Sequence, residues 1–254
     1  MRTTTAKRFL AICGITMMTA AAAYAAPPEG EGWEPLFNGE DLSGWTVPSG
    51  NEGIWTVQDG VIDCMPRADA PKEGDNSLWS EEEFGDVQIY VEWRIKETKG
   101  EYPVPVVLPD GSHKTDENGK EIIENLPNAD SGIYLRGTSK AQVNIWCWPV
   151  GSGEVYGYRM DKEMPASVRA GVTPSKNMDK PVGEWNTFLI TMDGDKLTVE
   201  LNGEKVLDNA QLPGVPEKGA LALQHHGGYN ASKDEWNSAS SLVQFRNVYV
   251  KKLD

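Results

Sequence analysis

The chain after position 30 alternates between hydrophobic and polar side chains in many short segments. Within Val87–Ile95 every odd-numbered position is hydrophobic, whereas the positions between them are Gln88, Tyr90, Glu92 and Arg94. This two-residue period places the two sets of side chains on opposite faces of a β-strand. No window of a dozen residues has a convincing 3.6-residue period, so the chain is predicted to fold almost wholly from strands.

Turn signals separate these segments at regular intervals. Asp59-Gly60 and Asp193-Gly194 are typical of tight hairpins between antiparallel strands. The pattern predicts further strands at Ile54–Val57, Val61–Cys64, Ser131–Arg136, Gln142–Trp148, Phe188–Met192, Lys196–Leu201, Glu204–Leu207, Ala220–Gln224 and Leu242–Lys251. Many short strands at this spacing favour an all-β fold, as one β-sandwich or jelly roll.

Two long stretches interrupt the alternation. Glu97–Asp130 is rich in proline and contains two Gly-centred turn signals, so it is interpreted as a polar excursion that carries a small hairpin of its own. Glu154–Gly183 is also irregular and contains three prolines. Long loops within a compact domain are often functional. Residues 26–254 contain neither a linker nor an internal repeat, and we predict a single domain with two long irregular loops.

The first segment has the pattern of an export signal. Met1–Ala26 combines a basic start with an apolar stretch and small residues around Ala25. This tripartite pattern predicts a signal peptide over residues 1–25, with cleavage after Ala25. No later stretch is long and apolar enough to span a bilayer. We therefore expect an exported protein, periplasmic or extracellular, without membrane insertion.

The composition restricts the partners of the protein. The 38 acidic residues exceed the 24 Lys and Arg residues, which gives a formal net charge of −14. Such a surface repels a phosphate backbone, so nucleic-acid binding is excluded. The 9 Trp, 5 Phe and 26 Gly residues suit a β-rich protein with an aromatic-lined surface. Outside the signal segment only Cys64 and Cys147 are present, and both a disulfide and two free thiols stay open.

The outward positions of three predicted strands carry side chains that are typical of sugar recognition. Amide and guanidinium groups form hydrogen bonds with hydroxyl groups, and indole rings stack on the apolar faces of sugar rings. The positions concerned are Gln88, Tyr90, Glu92, Arg94, Tyr134, Arg136, Gln142, Asn144, Trp146 and Trp148. They predict a polar groove that binds carbohydrate. The alternative is a solvated sheet face with scattered aromatic residues.

Two of the three histidines, His225 and His226, are adjacent at the end of a predicted strand. Neighbouring strand residues point to opposite faces, so His226 shares a face with Gln224 and His225 does not. Histidine is well suited to proton transfer near neutral pH, although a structural His in a Gly-rich turn is equally compatible with the spacing. The chain lacks GxSxG and HExxH motifs and the ExDxE alternation of jelly-roll glucanases, which disfavours an ordinary glycosidase.

Several segments, in order along the chain, resemble one known family. They include GWEPLFNGEDLSGWTV at 32–47, NADSGIYLRG at 128–137 and GALALQHHG at 219–227, together with 53–62, 78–95, 183–203 and 243–253. The chain resembles the 3-keto-disaccharide hydrolase family across this whole span. The resemblance implies a concanavalin A-like jelly roll, an exported bacterial protein, and activity on sugars whose 3-hydroxyl group has been oxidised to a ketone.

The implied substrate makes an elimination mechanism possible. A ketone at C3 acidifies the C2 proton, the aglycone then leaves from C1, and water adds afterwards. On this resemblance His226 is the proton-transfer residue, Glu92 or Glu154 is its acid or base partner, and Arg136 stabilises the enolate oxygen. The residues implied to bind the substrate are Arg94, Gln142, Asn144, Trp146, Gln224 and Arg246. A divalent metal held by Glu and His side chains could replace arginine as the electrophile, but no ligand set is visible.

The chain departs from the family pattern at two places. The strand that often carries acidic residues in the family reads VNIWCW here, at 143–148. The family often has Asp before its His-Gly pair, whereas this chain has His225 there. An Asp–His pair between neighbours in sequence is therefore missing. A non-catalytic carbohydrate-binding module on the same fold is the alternative function. The sequence specifies neither the aglycone, the linkage nor the oligomeric state.

Overall fold

A computed structural model of the chain describes residues 29–47, 53–65, 76–227, 229, 230, 232–236 and 241–253. The signal-peptide prediction for residues 1–25 lies outside these residues. The strands lie close to the predicted positions, and two of them, Val87–Ile95 and Lys196–Leu201, have the predicted bounds. The strands are β1 (Glu34–Pro35), β2 (Trp45–Thr46), β3 (Trp55–Gln58), β4 (Val61–Cys64), β5 (Leu78–Phe84), β6 (Val87–Ile95), β7 (Glu101–Pro105), β8 (Ile123–Pro127), β9 (Asp130–Leu135), β10 (Thr138–Trp146), β11 (Asn186–Asp193), β12 (Lys196–Leu201), β13 (Glu204–Gln211), β14 (Gly219–Leu223), β15 (Tyr229–Asn230), β16 (Glu235–Trp236) and β17 (Val243–Lys252).

Two antiparallel sheets form a β-sandwich, which confirms the predicted all-β jelly-roll class. The larger sheet has the order β13-β12-β11-β6-β17-β4-β3, with β1 paired to β17. The smaller sheet has the order β10-β9-β14-β5-β2. Hydrophobic side chains from both sheets join in one buried core, as expected when two sheets pack face to face.

The hydrophobic positions of β6, which recur every second residue, are buried. Val91 and Trp93 are 0% and 1% exposed, and the Trp93 ring lies 5.2 Å from that of Phe188 on the neighbouring β11. Gln88, Tyr90 and Arg94 are partly exposed on the opposite face. The inward face of the strand is therefore the hydrophobic one that the sequence predicts.

The prediction of one groove shared by β6, β9 and β10 is wrong. β6 lies between β11 and β17 in the larger sheet, whereas β9 and β10 belong to the smaller one. The outward faces of the two sheets in a sandwich point in opposite directions. Alternation assigns a face to each side chain of a strand, but it does not specify which sheet the strand joins.

Glu92, Arg94 and Arg246 consequently lie together on the outer face of the larger sheet. Arg246 Nε donates a hydrogen bond of 2.6 Å to Glu92 Oε2, and Arg94 Nε donates one of 2.7 Å to Gln244 Oε1. Both guanidinium groups lie over the ring of Trp185, at 4.1 Å for Arg246 and 4.7 Å for Arg94. Their polar groups stabilise this sheet and do not face the residues predicted on β10.

The two long loops contain local structure. Residues 97–130 carry the predicted hairpin, formed by β7 and β8, and continue as a narrow ribbon with bridges between Val107 and His113 and between Thr115 and Glu121. Residues 154–183 contain two short helices, α1 (Tyr156–Arg159) and α2 (Ala166–Gly171). Helices of one or two turns are too short to produce a readable 3.6-residue period.

Cys64 and Cys147 are free thiols, so of the two open alternatives the structure supports unpaired cysteines. Cys64 is fully buried in the core, and Cys147 is partly buried. Within the described ranges, no helix has both the length and the apolar character needed to cross a membrane.

Candidate active site

A cavity of about 370 Å³ opens on the outer face of the smaller sheet, beneath the ribbon of residues 97–130. We call this cavity the groove. It is lined by Tyr102, Pro103, Pro105, His113, Glu121, Asp130, Gln142, Asn144, Trp146, Trp148, Tyr156, Gln224 and His226. The predicted residues Gln142, Asn144, Trp146, Gln224 and His226 are therefore brought together by the fold.

Strand register places the floor of the groove on one face. Gln142 lies opposite Tyr134, Asn144 opposite Gly132 and Trp146 opposite Asp130, and directly opposed residues share a face of the sheet. β14 continues the same face, because the backbone N–H of Gln224 donates to the carbonyl oxygen of Gly132 at 2.9 Å. The alternation along each strand thus becomes a continuous polar surface across three strands.

A network of side-chain hydrogen bonds fixes the amides of this floor. Gln142 Nε2 donates to Gln224 Oε1 at 2.5 Å and to the carbonyl oxygen of Ser131 at 3.1 Å. Gln224 Nε2 donates to the hydroxyl oxygen of Tyr134 at 2.9 Å. Because these groups are buried and bonded to one another, they hold defined orientations before any ligand arrives.

Gly132 makes room for this network. A Cβ atom at this position would lie 2.8 Å from Gln142 Cγ and 2.8 Å from the carbonyl oxygen of Val143, closer than carbon atoms pack. Replacing Gly132 with alanine is expected to lower the free energy of unfolding by about 1–3 kcal/mol, because the Gln142 side chain must leave its position. Urea denaturation measures this effect. Gly171→Ala is the matched control, since no atom lies within 4 Å of its Cβ position, and equal losses in both variants would contradict the argument.

His226 faces an aspartate that the sequence reasoning missed. The His226 Nδ1 atom lies 3.8 Å from Asp130 Oδ2, and the two side chains are 42% and 21% exposed. Burial raises the pKa of Asp130 to about 6, and the charge of His226 partly offsets that rise. The Asp–His pair that is missing between neighbours in sequence is therefore supplied from the first residue of β9.

Ser241 holds the two halves of this pair in place. Its hydroxyl group accepts a hydrogen bond from the His226 backbone N–H at 2.5 Å. The same Oγ lies 2.8 Å from the carbonyl oxygens of both His226 and Asp130. His225 points away from the groove and is 8% exposed, as the alternation predicts.

Asn144 contributes a polar group that lacks a partner. It lines the groove next to Gln142 and is only 3% exposed. Its buried Oδ1 atom accepts no hydrogen bond from any of the described residues. A buried acceptor without a partner is costly, so a ligand or water that reached it would recover free energy.

Aromatic rings form a corner at one end of the groove. The rings of Trp146 and Trp148 are stacked, with centroids 4.1 Å apart and an interplanar angle of 2°. The Tyr156 ring stands perpendicular to both, at 6.1 Å. A flat stacked surface beside a perpendicular ring suits the apolar face of a sugar ring or of an aglycone.

Glu154 lies behind the groove and does not line it. Its backbone pairs with the edge of β10, where Asn144 N–H donates to its carbonyl oxygen at 2.9 Å. Its carboxylate forms a fully buried ion pair with Arg159, and Arg159 Nη1 lies 2.9 Å from His113 Nε2. Burial raises the pKa of Glu154 to about 7, although Arg159 opposes the rise. Glu154, predicted as an acid or base partner of His226, is therefore connected to the groove only through Arg159, which contacts the lining residue His113.

Arg136 follows β9, at the end of the strand away from Asp130, and its side chain bonds to several other segments of the chain. It lies in the turn after the strand with a φ of 54°, and its side chain is 3% exposed. Its guanidinium group donates to Asp86 Oδ1 at 2.8 Å and to the carbonyl oxygens of Pro216, Glu217 and Gly194. The length of β9 separates it from Asp130 by roughly 20 Å, at about 3.3 Å per residue, so it cannot contact the same substrate atom as His226.

This placement predicts that Arg136 affects stability and not chemistry. Arg136→Lys is expected to lower the free energy of unfolding by about 2–4 kcal/mol, because lysine cannot reach four acceptors from one buried position. The kcat/KM of the folded variant should stay within about twofold of that of the unchanged protein. Thermal unfolding and steady-state kinetics on the same sample measure both quantities. A large fall in kcat/KM with unchanged stability would contradict this prediction and show that Arg136 takes part in the reaction.

The described residues contain no group of three or more His, Cys, Asp or Glu side chains arranged to hold a metal ion. The residues of the groove that sequence reasoning missed are Asp130, His113, Glu121, Tyr102 and Tyr156. Asp130 had a signal, since it directly precedes the predicted strand Ser131–Arg136 and lies within the segment NADSGIYLRG of the resemblance. The others come from the two long loops, whose folding over the sheet no periodicity reveals.

Comparisons with known proteins agree with this fold. Two solved structures from Parabacteroides distasonis, both named as proposed glycosyl hydrolases, are similar to the chain. One is 19% identical, with a TM-score of 0.53, and the match covers 88% of this chain and 95% of the other. The second is 20% identical, with a TM-score of 0.51 and coverage of 96% and 99%. At these identities the likeness shows the fold alone. No curated protein matches the chain in sequence.

The family comparison extends over most of the chain. Residues 32–251 match the 3-keto-alpha-glucoside-1,2-lyase-like domain, which confirms the resemblance stated from the sequence segments. The match includes both sheets, the ribbon over the groove and the Asp130–His226 pair. The chain therefore belongs to the 3-keto-alpha-glucoside-1,2-lyase-like domain family and is a carbohydrate-active protein.

Proposed function

We propose that the protein cleaves the glycosidic bond of 3-keto-glycosides in the groove, by removal of the C2 proton, departure of the C1 aglycone and addition of water. The Asp130–His226 pair carries this proposal, because it places a proton-transfer residue and a carboxylate on a floor of fixed amides. The family membership supports the substrate class. The signal-like segment at the start of the chain supports export.

His226 is the residue that moves the proton in this proposal. Its neutral imidazole takes the proton from C2, and the Asp130 carboxylate stabilises the resulting imidazolium, as an aspartate does beside a catalytic histidine. The electron pair of the C–H bond forms the enolate of the C3 ketone. When the enolate collapses, the C1–O bond breaks, and His226 returns the proton to the departing oxygen.

The product of this step is an unsaturated 3-keto sugar with a double bond between C1 and C2. Water then adds to C1, and a proton returns to C2, which gives the free 3-keto sugar. On the floor of the groove, Asn144 Oδ1 accepts a hydrogen bond from a hydroxyl group of the sugar, and amide N–H groups donate to the keto oxygen. Arg136 and Glu92, which do not line the groove, have no step in this mechanism.

The test uses the purified protein and chromogenic 3-keto-glucosides of both anomers in heavy water. Release of the aglycone with deuterium incorporated at C2 is the expected result, compared with substrate incubated without protein. Release without deuterium would contradict elimination and favour direct hydrolysis. Tight binding measured by calorimetry without release from any 3-keto-glycoside would overturn the proposal in favour of a non-catalytic binding module.

A further inference from the structure

The charges that face the groove are unbalanced. Glu121 and Asp130 line it with carboxylates, whereas no Lys or Arg is found among the described residues that line it. Its candidates for positive charge are therefore the two histidines, His113 and His226. The charge state of each determines the electrostatic potential that a substrate meets.

Two neighbouring side chains contact the two ring nitrogens of His113. Arg159 Nη1 lies 2.9 Å from His113 Nε2, and an arginine can only donate, so Nε2 is the acceptor. The ring proton is then on Nδ1, which donates to Glu121 Oε1 at 2.9 Å. Arg159 is itself paired with the buried Glu154, so the carboxylate offsets its positive charge on this side of the groove.

The aromatic corner lies on this same side. Arg159 contacts both His113 and Tyr156, with its guanidinium carbon 5.3 Å from the Tyr156 ring centroid. Glu121 contacts His113, so the carboxylate, the imidazole, the Arg159 guanidinium group and the Tyr156 ring form one chain of consecutive contacts. Tyr156 is 40% exposed and Tyr102 is 38% exposed. Aromatic faces beside a carboxylate bind ammonium groups well.

We propose that the groove selects substrates by charge, and that it prefers glycosides carrying a protonated amino group on the part that lies against Tyr156 and Glu121. This inference rests on the proposed function for the position of the sugar. Neutral glycosides bind through the amide floor and the stacked indoles alone. Anionic substituents are disfavoured, because they meet two carboxylates, whereas the described residues that line the groove include no Lys or Arg.

The preference is tested with three matched 3-keto-glucosides at pH 7.5. Their aglycones are 4-(aminomethyl)phenol, 4-(hydroxymethyl)phenol and 4-hydroxybenzoate, which carry a positive charge, no charge and a negative charge. The expected order of kcat/KM is cationic, neutral, anionic, with about tenfold between the first and the last. The ratio should shrink as salt is raised, because the Debye length falls.

Two variants locate the effect. Glu121→Gln is expected to reduce the ratio of cationic to neutral kcat/KM severalfold. Glu124→Gln, an equal charge change on the exposed face of β8 in the same ribbon, should leave that ratio unchanged. An order that is flat or reversed in the unchanged protein would overturn the inference, and so would equal effects of the two variants.

Failure here can be distinguished from failure of the proposed function. If none of the three glucosides is cleaved, the proposed function is wrong, and calorimetric Kd values for the same three compounds still test the charge order. If all three are cleaved at equal kcat/KM, the proposed function stands and the charge selection is wrong.

Discussion

Replacing His226 with alanine is expected to lower kcat/KM for 3-keto-glucoside cleavage about 100- to 10,000-fold, because proton transfer by a positioned side chain contributes about that much. The backbone of His226 is held by Ser241, so the variant should fold normally. Steady-state kinetics with the chromogenic substrate and circular dichroism on the same preparation measure both. Unchanged kcat/KM in a folded variant would remove His226 from the mechanism.

Removing the charge of Asp130, the partner of His226, is expected to lower kcat/KM and to change its dependence on pH. Asp130→Asn preserves shape and removes charge, so it should also lower kcat/KM. In the unchanged protein activity should fall as the pH drops through about 6, where Asp130 gains a proton and no longer stabilises the imidazolium. The variant should lack that part of the acid limb. Asp208→Asn, at a side chain that is 62% exposed and far from the groove in β13, is the control that should change neither quantity.

The second large effect concerns the buried pair behind the groove. Arg159→Met is expected to lower the free energy of unfolding by about 3–5 kcal/mol at pH 8, because it leaves the Glu154 carboxylate buried without its cation. Chemical denaturation at a series of pH values measures the loss. The double variant Glu154→Gln/Arg159→Met should recover most of it, since no charge is then buried. A single variant as stable as the unchanged protein at pH 8 would contradict this account.

The pH dependence of that loss has a definite sign. Burial raises the pKa of Glu154 in the folded state to about 7, above its ordinary 4.5. A raised pKa contributes stability that is fully present below the unfolded value and lost as the pH rises through the folded value. Arg159 opposes the rise, so its removal raises the pKa of Glu154 further. The Arg159→Met variant should therefore be closest to the unchanged protein at pH 4.5 and furthest from it at pH 8.

Most of the strands, their buried faces and the family follow from local patterns in the amino-acid sequence. The alternation in Val87–Ile95 predicted both its bounds and its buried side, because burial of one face requires the two-residue period. The same logic put Gln142, Asn144 and Trp146 on one face and separated His226 from His225. These properties are local, since a strand's own residues specify which of its two faces is hydrophobic.

Which faces meet, and which polar groups reach the groove, depends on how the strands pair in the folded chain. Glu92 and Gln142 both occupy outward polar positions of alternating strands, but the order of strands places them in different sheets. Asp130 and Arg136 lie toward the two ends of the segment NADSGIYLRG, but β9 separates them, so Asp130 faces His226 and Arg136 pairs with Asp86. Strand pairing and the folding of the two long loops depend on contacts between residues far apart in sequence, which no local periodicity encodes.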